Sequence, residues 1–166
     1  MADIIFKRIS VREFKHEAVD DGRIEKLMRA AMAAPSATNQ RPWEFFYTTD
    51  PHISAQLAQA SPYAKPADGA PLVIVPCYRT TGMRLPELVP YDMAISCENI
   101  LLEAVELGLG GVWLGIAPFE ERMSAVEKAI GAPEGLRAFA LIPIGIPLVE
   151  RAQLDRYDES RVHRIG

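Results

Sequence analysis

Arg8-Ile9-Ser10-Val11-Arg12-Glu13-Phe14 and, further on, Ala34-Pro35-Ser36-Ala37-Thr38-Asn39-Gln40-Arg41-Pro42-Trp43 are the two stretches from which the rest of the chain can be read. The first places two guanidinium groups and a hydroxyl at positions 8, 10 and 12. Arginine forks make bidentate contacts to phosphate oxygens, so this spacing is a candidate anion grip. Lys7 and Lys15 add to the cluster in a chain whose net charge is −4. The alternative is a solvated face of a first helix. The second stretch is a polar turn after a helix, with hydroxyls, an amide and free N–H groups where short side chains let the backbone approach a flat ligand. An ordinary polar loop is the alternative, since Ser, Thr and Asn favour turns.

With 166 residues, 49% of them apolar, the chain can build one substantial core but not two comfortable ones. A single domain spanning 1–166 is expected, with 147–166 as a polar C-terminal arm. The acidic balance argues against nucleic acid as a partner. The first residues lack a signal-peptide apolar region, and no later apolar run reaches membrane-spanning length, so a cytoplasmic protein without membrane association is expected. Cys77 and Cys97 sit in apolar runs without metal or redox spacing and read as small buried hydrophobes. His16, His52 and His163 are scattered, no metal motif occurs, and Ser36 is not in a nucleophile-elbow pattern.

Working outward, Asp20 or Asp21 can cap a helix whose apolar residues Ile24, Leu27, Met28, Ala31 and Met32 lie on one face. Trp43 to Thr49 reads as a strand, and Asp50-Pro51 as a cap with proline at the first helical position. Leu72 to Tyr78 and Leu136 to Ile146 read as buried strands. Phe119 to Ile130 reads as an amphipathic helix closed by Gly131. From Asp92 to Leu107 the apolar residues cover most of a helix circumference, leaving a polar stripe at Asp92, Ser96, Asn99, Glu103 and Glu106. Such a helix needs burial on several sides, in the domain's middle or at a subunit interface. Ile100 and Leu101, opposite Ser96 and Glu103, are expected near the centre of that interface. Strands separated by helices indicate an α+β sandwich, a mixed or antiparallel sheet covered by helices.

The glycines of Gly108-Leu109-Gly110-Gly111-Val112-Trp113-Leu114-Gly115 do not make a dinucleotide fingerprint: they follow a helix, and Trp113 stands at the sixth position. A helix C-cap turning into the next segment is the simpler reading.

Taken together, the R-x-S-x-R-x-F string, the Pro-Ser-Ala-Thr-Asn-Gln turn, the G-L-G-x-x-W stretch and the tail 154–163 resemble the FMN-dependent nitroreductase family over essentially the whole chain. The departures are Ala37 and Thr38, where family members commonly have glycines, and a short connection from Tyr78 to Asp92. The resemblance implies an entwined homodimer with FMN at its interface. It implies that Arg8, Ser10, Arg12 and Arg156, with Ile9, hold the phosphate end. Pro35, Ser36 and Asn39 would approach the ring from the partner subunit, and the backbone of Trp113, Leu114 and Gly115 would border the ring edge. The implied activity is hydride transfer from NADH or NADPH through flavin N5 to a nitroaromatic, quinone or similar conjugated acceptor, with no side chain needed as acid or base. Reductive dehalogenation or dehydrogenation of a specific metabolite, and flavin binding without turnover, are the rival readings.

Overall fold

The computed structural model describes residues 4–153 and 155–166; Met1 to Asp3, and Leu154 at the start of the tail string, lie outside the described residues. In chain order the elements are α1 (Ile4–Lys7), α2 (Asp21–Met32), β1 (Trp43–Thr48), α3 (Pro51–Leu57), β2 (Leu72–Arg79), α4 (Val89–Glu106), β3 (Gly110–Gly111), β4 (Leu114–Gly115), α5 (Glu120–Ile130), β5 (Leu136–Ala138) and β6 (Ala140–Gly145). The caps read from the sequence are in place. Asp20 accepts the Arg23 amide, Asp50 accepts the His52 amide ahead of Pro51, and Gly131 ends α5 at φ 61°.

The ladders between these strands are all antiparallel, in the order β1-β2-β6-β3, with β5 alongside β2 and β4 alongside β6. Alternation along β2 decides which side each helix covers. Leu72 and Ile74 face a layer built with Ile24, Leu27 and Ala31 of α2 and Cys97, Ile100 and Ala104 of α4. Val73, Val75 and Cys77 face the opposite layer, with Leu57 of α3 and Met123 and Val126 of α5. Both faces are covered, which is why β2 reads as an unbroken apolar run. Each fully buried Leu or Ile in these layers contributes roughly 1.5–3 kcal/mol. The α+β sandwich expected from the sequence is the observed one.

Two expectations need correction. Leu136 to Ile146 is two strands, because the register slips: Cys77 lies opposite Ala138 but Ile74 opposite Ile142, so the second partner carries one extra residue. Pro76 sits at the slip and has no N–H to give. The Phe139 carbonyl accepts instead from Ala117 at 2.9 Å, while the Phe139 amide donates to the Pro76 carbonyl. The other correction concerns α4. Ile100 and Leu101 are 0% and 3% exposed within this single chain, so they are core rather than subunit surface. The first part of its polar stripe faces the protein rather than solvent, while Glu106 at its end is exposed. Ser96 donates to the Ala31 carbonyl at 2.9 Å and Asn99 to the Ala30 carbonyl at 3.0 Å, satisfying the last turn of α2. What α4 leaves open is a neighbouring strip along Tyr91 and Ile95, both exposed, and half-buried Leu102, on one helical face.

Candidate functional site

The segment after α1 is extended. Ser10 bridges Gly111 in parallel, Val11 donates to the Gly111 carbonyl at 2.9 Å, and Phe14 bridges Pro147. Val11 and Phe14 are buried while Ser10 and Arg12 are exposed, so the spacing of two is strand periodicity that turns the hydroxyl and the guanidinium to one side. The approach requires the glycine pair. A Cβ on Gly110 would stand 2.5 Å from Val11 Cγ2, and one on Gly111 would stand 2.9 Å from the Pro143 carbonyl oxygen.

The C-terminal arm returns along this segment, with Leu148 donating to the Glu13 carbonyl at 3.0 Å and Gln153 to the Arg8 carbonyl at 3.2 Å. Between arm and segment lies a small cavity of about 180 Å³, lined by Ile9, Ser10, Val11, Arg12, Glu13, Val149 and Arg151. Arg12 also lines a larger cavity of about 500 Å³ with Tyr63, Pro66, Trp113, Leu114, Gly115 and Arg122. The two therefore meet at Arg12. Its guanidinium makes no hydrogen bond or ion pair with any described residue, whereas Arg8 is tied to Glu98 on α4 at 3.1 Å.

The walls of the larger cavity are braced. The Trp113 ring packs edge-on against Phe139, centroids 5.5 Å apart. Arg122 donates to the Gly115 carbonyl at 3.1 Å and lies over Phe119, 4.0 Å from the ring centroid, with Tyr63 at 5.6 Å. Glu120, two residues before Arg122, is engaged by Arg137 at 2.7 Å, and that hydrogen bond holds the Glu120 carboxyl below its usual range. Arg137 also takes Glu127 at 2.8 Å.

The turn after α2 is a third constituent. Thr38, Asn39 and Arg41 have φ of 50°, 57° and 44°, three non-glycine residues in left-handed backbone, with right-handed Gln40 between the last two. It is held by Ser36, whose hydroxyl accepts the Arg41 amide at 2.9 Å, and by Asp92 on α4.

Of the residues singled out by sequence, Ile9, Ser10 and Arg12 line the smaller cavity, and Arg12, Trp113, Leu114 and Gly115 the larger. Arg8 lines neither, being held by Glu98. Pro35, Ser36 and Asn39 sit on the separate turn, outside both linings. Arg156 is exposed on the arm, and Arg151 is the arm's arginine in the cavity. Sequence reasoning missed Arg122, Tyr63, Pro66 and Arg151. Arg122 follows two glutamates at a helix start and looks like ordinary helix surface; only the fold brings it to Gly115.

A sequence model of the nitroreductase family matches residues 5–81 and 61–146. The chain belongs to the nitroreductase family. A relative from Archaeoglobus fulgidus named "Putative NADH dehydrogenase/NAD(P)H nitroreductase" is 35% identical, the match covering 97% of this chain and 95% of that one. Among solved structures, a "Putative NADH Oxidase" from Clostridium acetobutylicum is similar at 42% identity and a TM-score of 0.93, covering 97% of this chain and 98% of the other. An "FMN-dependent Nitroreductase" from Clostridium difficile R20291 superposes with a TM-score of 0.91 at 25% identity, covering 100% and 99%. Among the described residues no helix is long and apolar enough to cross a membrane, and no cluster of His, Cys, Asp and Glu could hold a metal.

Proposed function

We propose that this nitroreductase-family chain is an FMN-dependent NAD(P)H oxidoreductase acting on nitroaromatic, quinone or similar conjugated acceptors, and that it works as a homodimer. The observation that carries the reading is the junction at Arg12. On one side is a small polar cavity with Ser10, Arg12 and Arg151, a donor set suited to a phosphate. On the other is a cavity walled by Trp113, Leu114, Gly115, Tyr63 and Pro66, suited to a flat ring system. A phosphorylated flavin needs that combination. When bound, FMN supplies acceptance of a hydride from NADH or NADPH and its delivery to the second substrate.

The chain's own part is binding and shielding. Arg12, without a carboxylate partner, is free to pair with a phosphate, and the Ser10 hydroxyl adds a neutral donor. Trp113, fixed by Phe139, offers a stiff edge to the larger cavity. The pinned turn carrying Pro35, Ser36 and Asn39 lies outside both cavities of its own chain. Supplied from a second copy, it would close the ring side, and the open strip of Tyr91 and Ile95 is an apolar face for that copy to cover.

The test is the absorption spectrum of the purified protein, followed by heat release and chromatography of the chromophore. One phosphorylated flavin per chain, together with NADH or NADPH oxidation accelerated by a quinone, supports the reading. A colourless protein that takes up no added FMN refutes it. Bound FMN without turnover would leave only flavin binding.

A further inference from the structure

We propose that Arg122 selects the electron acceptor by charge, favouring flat acceptors that carry a carboxylate or similar anionic group over neutral ones of the same shape. This rests on the proposed function, in which the larger cavity takes the flavin ring, and adds that the flat acceptor enters the same cavity against that ring. Three observations carry it. Arg122 is fixed: one N–H is spent on the Gly115 carbonyl at 3.1 Å, and the guanidinium is stacked over Phe119 at 4.0 Å, with Tyr63 beyond. A cation held this way loses little further freedom when it pairs with a ligand.

Its charge is also not neutralised. No ion pair joins it to any described carboxylate: Glu120 is bound by Arg137, and Glu121, the residue before Arg122, is exposed. A guanidinium has five N–H donors, so with one used, an edge remains for a bidentate oxyanion.

The lining, finally, is one-signed. It contains two guanidiniums, Arg12 and Arg122, and no acid, in a chain whose net charge is −4. Local field and overall charge are therefore opposed, and an anion is drawn into this cavity. Arg12 lines the smaller cavity as well and is occupied if that cavity holds a phosphate. Arg122 lines only the larger one and is left for the second ligand.

The same chemistry could take the 2′-phosphate of NADPH, so the experiment has two arms. In the first, 4-nitrobenzoate and 4-nitrobenzamide are titrated into the FMN-loaded enzyme without pyridine nucleotide, and binding is followed by perturbation of the flavin absorbance. Turnover gives kcat/KM for the same pair. Wild type is expected to favour the benzoate about tenfold. That ratio should shrink as salt is raised. Arg122→Met should bring it to about one, and Arg122→Lys should keep part of it. In the second arm, KM for NADH and NADPH is compared between wild type and Arg122→Met.

A loss confined to NADPH, with the benzoate preference intact, overturns the proposal. So does a wild-type ratio near one at low salt, a result that needs no variant to fold. A protein that binds no FMN refutes the cofactor reading together with this inference. A yellow protein without charge preference refutes this inference alone.

Discussion

Asp92 holds Gln40 and, with it, the turn that follows α2. The carboxylate, 3% exposed at the first turn of α4, accepts the Gln40 side-chain amide at 2.8 Å through one oxygen and the Ala37 backbone amide at 2.8 Å through the other. Gln40 in turn exchanges two hydrogen bonds of 3.1 Å with the Leu85 backbone. The turn needs this support, because left-handed backbone at Thr38, Asn39 and Arg41 costs about 1 kcal/mol or more at each residue.

Asp92→Ala should therefore destabilise the chain by about 1.5–3 kcal/mol, the scale for losing hydrogen bonds to a charged group. The Ala37 amide and the Gln40 side chain lose their shared acceptor, and the turn can relax toward right-handed conformations. Urea denaturation gives the first effect. Faster amide exchange confined to residues 37–41 gives the second, and unchanged exchange there would contradict the anchoring role.

Arg12→Ala should weaken FMN binding about ten- to a hundredfold, as expected for a lost charge-assisted contact. Stability without cofactor should hardly change, since the exposed Arg12 side chain makes no hydrogen bond or ion pair with a described residue. Arg8→Ala should behave differently. It breaks the contact with Glu98 between the start of the chain and α4, so a small stability change is expected and a weaker effect on FMN. Titration of both variants with FMN checks the contrast; equal losses would place Arg8 on the phosphate as well.

Much of this was legible because local chemistry and tertiary structure agree. Asp20 and Asp50-Pro51 start helices for the same reason in a peptide as in the fold, and the apolar run of β2 announces burial on both faces. The spacing at 8, 10 and 12 was readable as a pattern but not as extended chain, because the partner that extends it is the glycine pair 110–111, far away in sequence. The polar stripe on α4 misled for a physical reason. Asp92, Ser96 and Asn99 face backbone groups of α2 and its following turn, and a sequence shows side chains but not unsatisfied carbonyls. Left-handed Thr38 and Arg41 were equally hidden, since neither residue type prefers that conformation.

Burial pushes the Cys77 thiol from its ordinary 9.0 up to about 12, and burial raises Cys97 as well. A raised thiol pKa means the folded state holds the proton more tightly than the unfolded one. The associated stability is fully present below about pH 9 and is lost as pH rises from there through about 12. Two outcomes are expected. A thiol-specific disulfide reagent at pH 8 should label neither cysteine in the native protein and both after denaturation. Stability measured by urea should fall between pH 9 and pH 11. Rapid labelling of the native protein would overturn the burial argument.

The connection between β2 and α4 is short and is partly committed to anchoring Gln40, which leaves little chain to cover the larger cavity. Unrelated flat acceptors should then compete for one site, each entering after the oxidised nicotinamide has left. Parallel double-reciprocal lines are expected for several acceptors. Intersecting lines, the sign of a ternary complex, would count against a single shared site.

The dimer reading has its own discriminating pair of positions. Ile95 is 41% exposed and shares a helical face with exposed Tyr91, so it can be changed without opening a cavity in its own chain. If a second copy covers that face, Ile95→Glu buries a carboxylate without a partner, a cost of several kcal/mol that should raise the dimer dissociation constant at least about a hundredfold. The resulting monomer should stay folded but lose its flavin, because the turn bearing Ser36 and Asn39 would no longer be supplied from outside. Ile100→Ala is the contrasting change. Ile100 is fully buried beneath α4, so the substitution should cost about 2–5 kcal/mol of stability whatever the oligomeric state, and leave the surviving dimer yellow. Light scattering paired with flavin absorbance separates the two. An Ile95→Glu protein that remains a dimer with one FMN per chain would put the interface on another face.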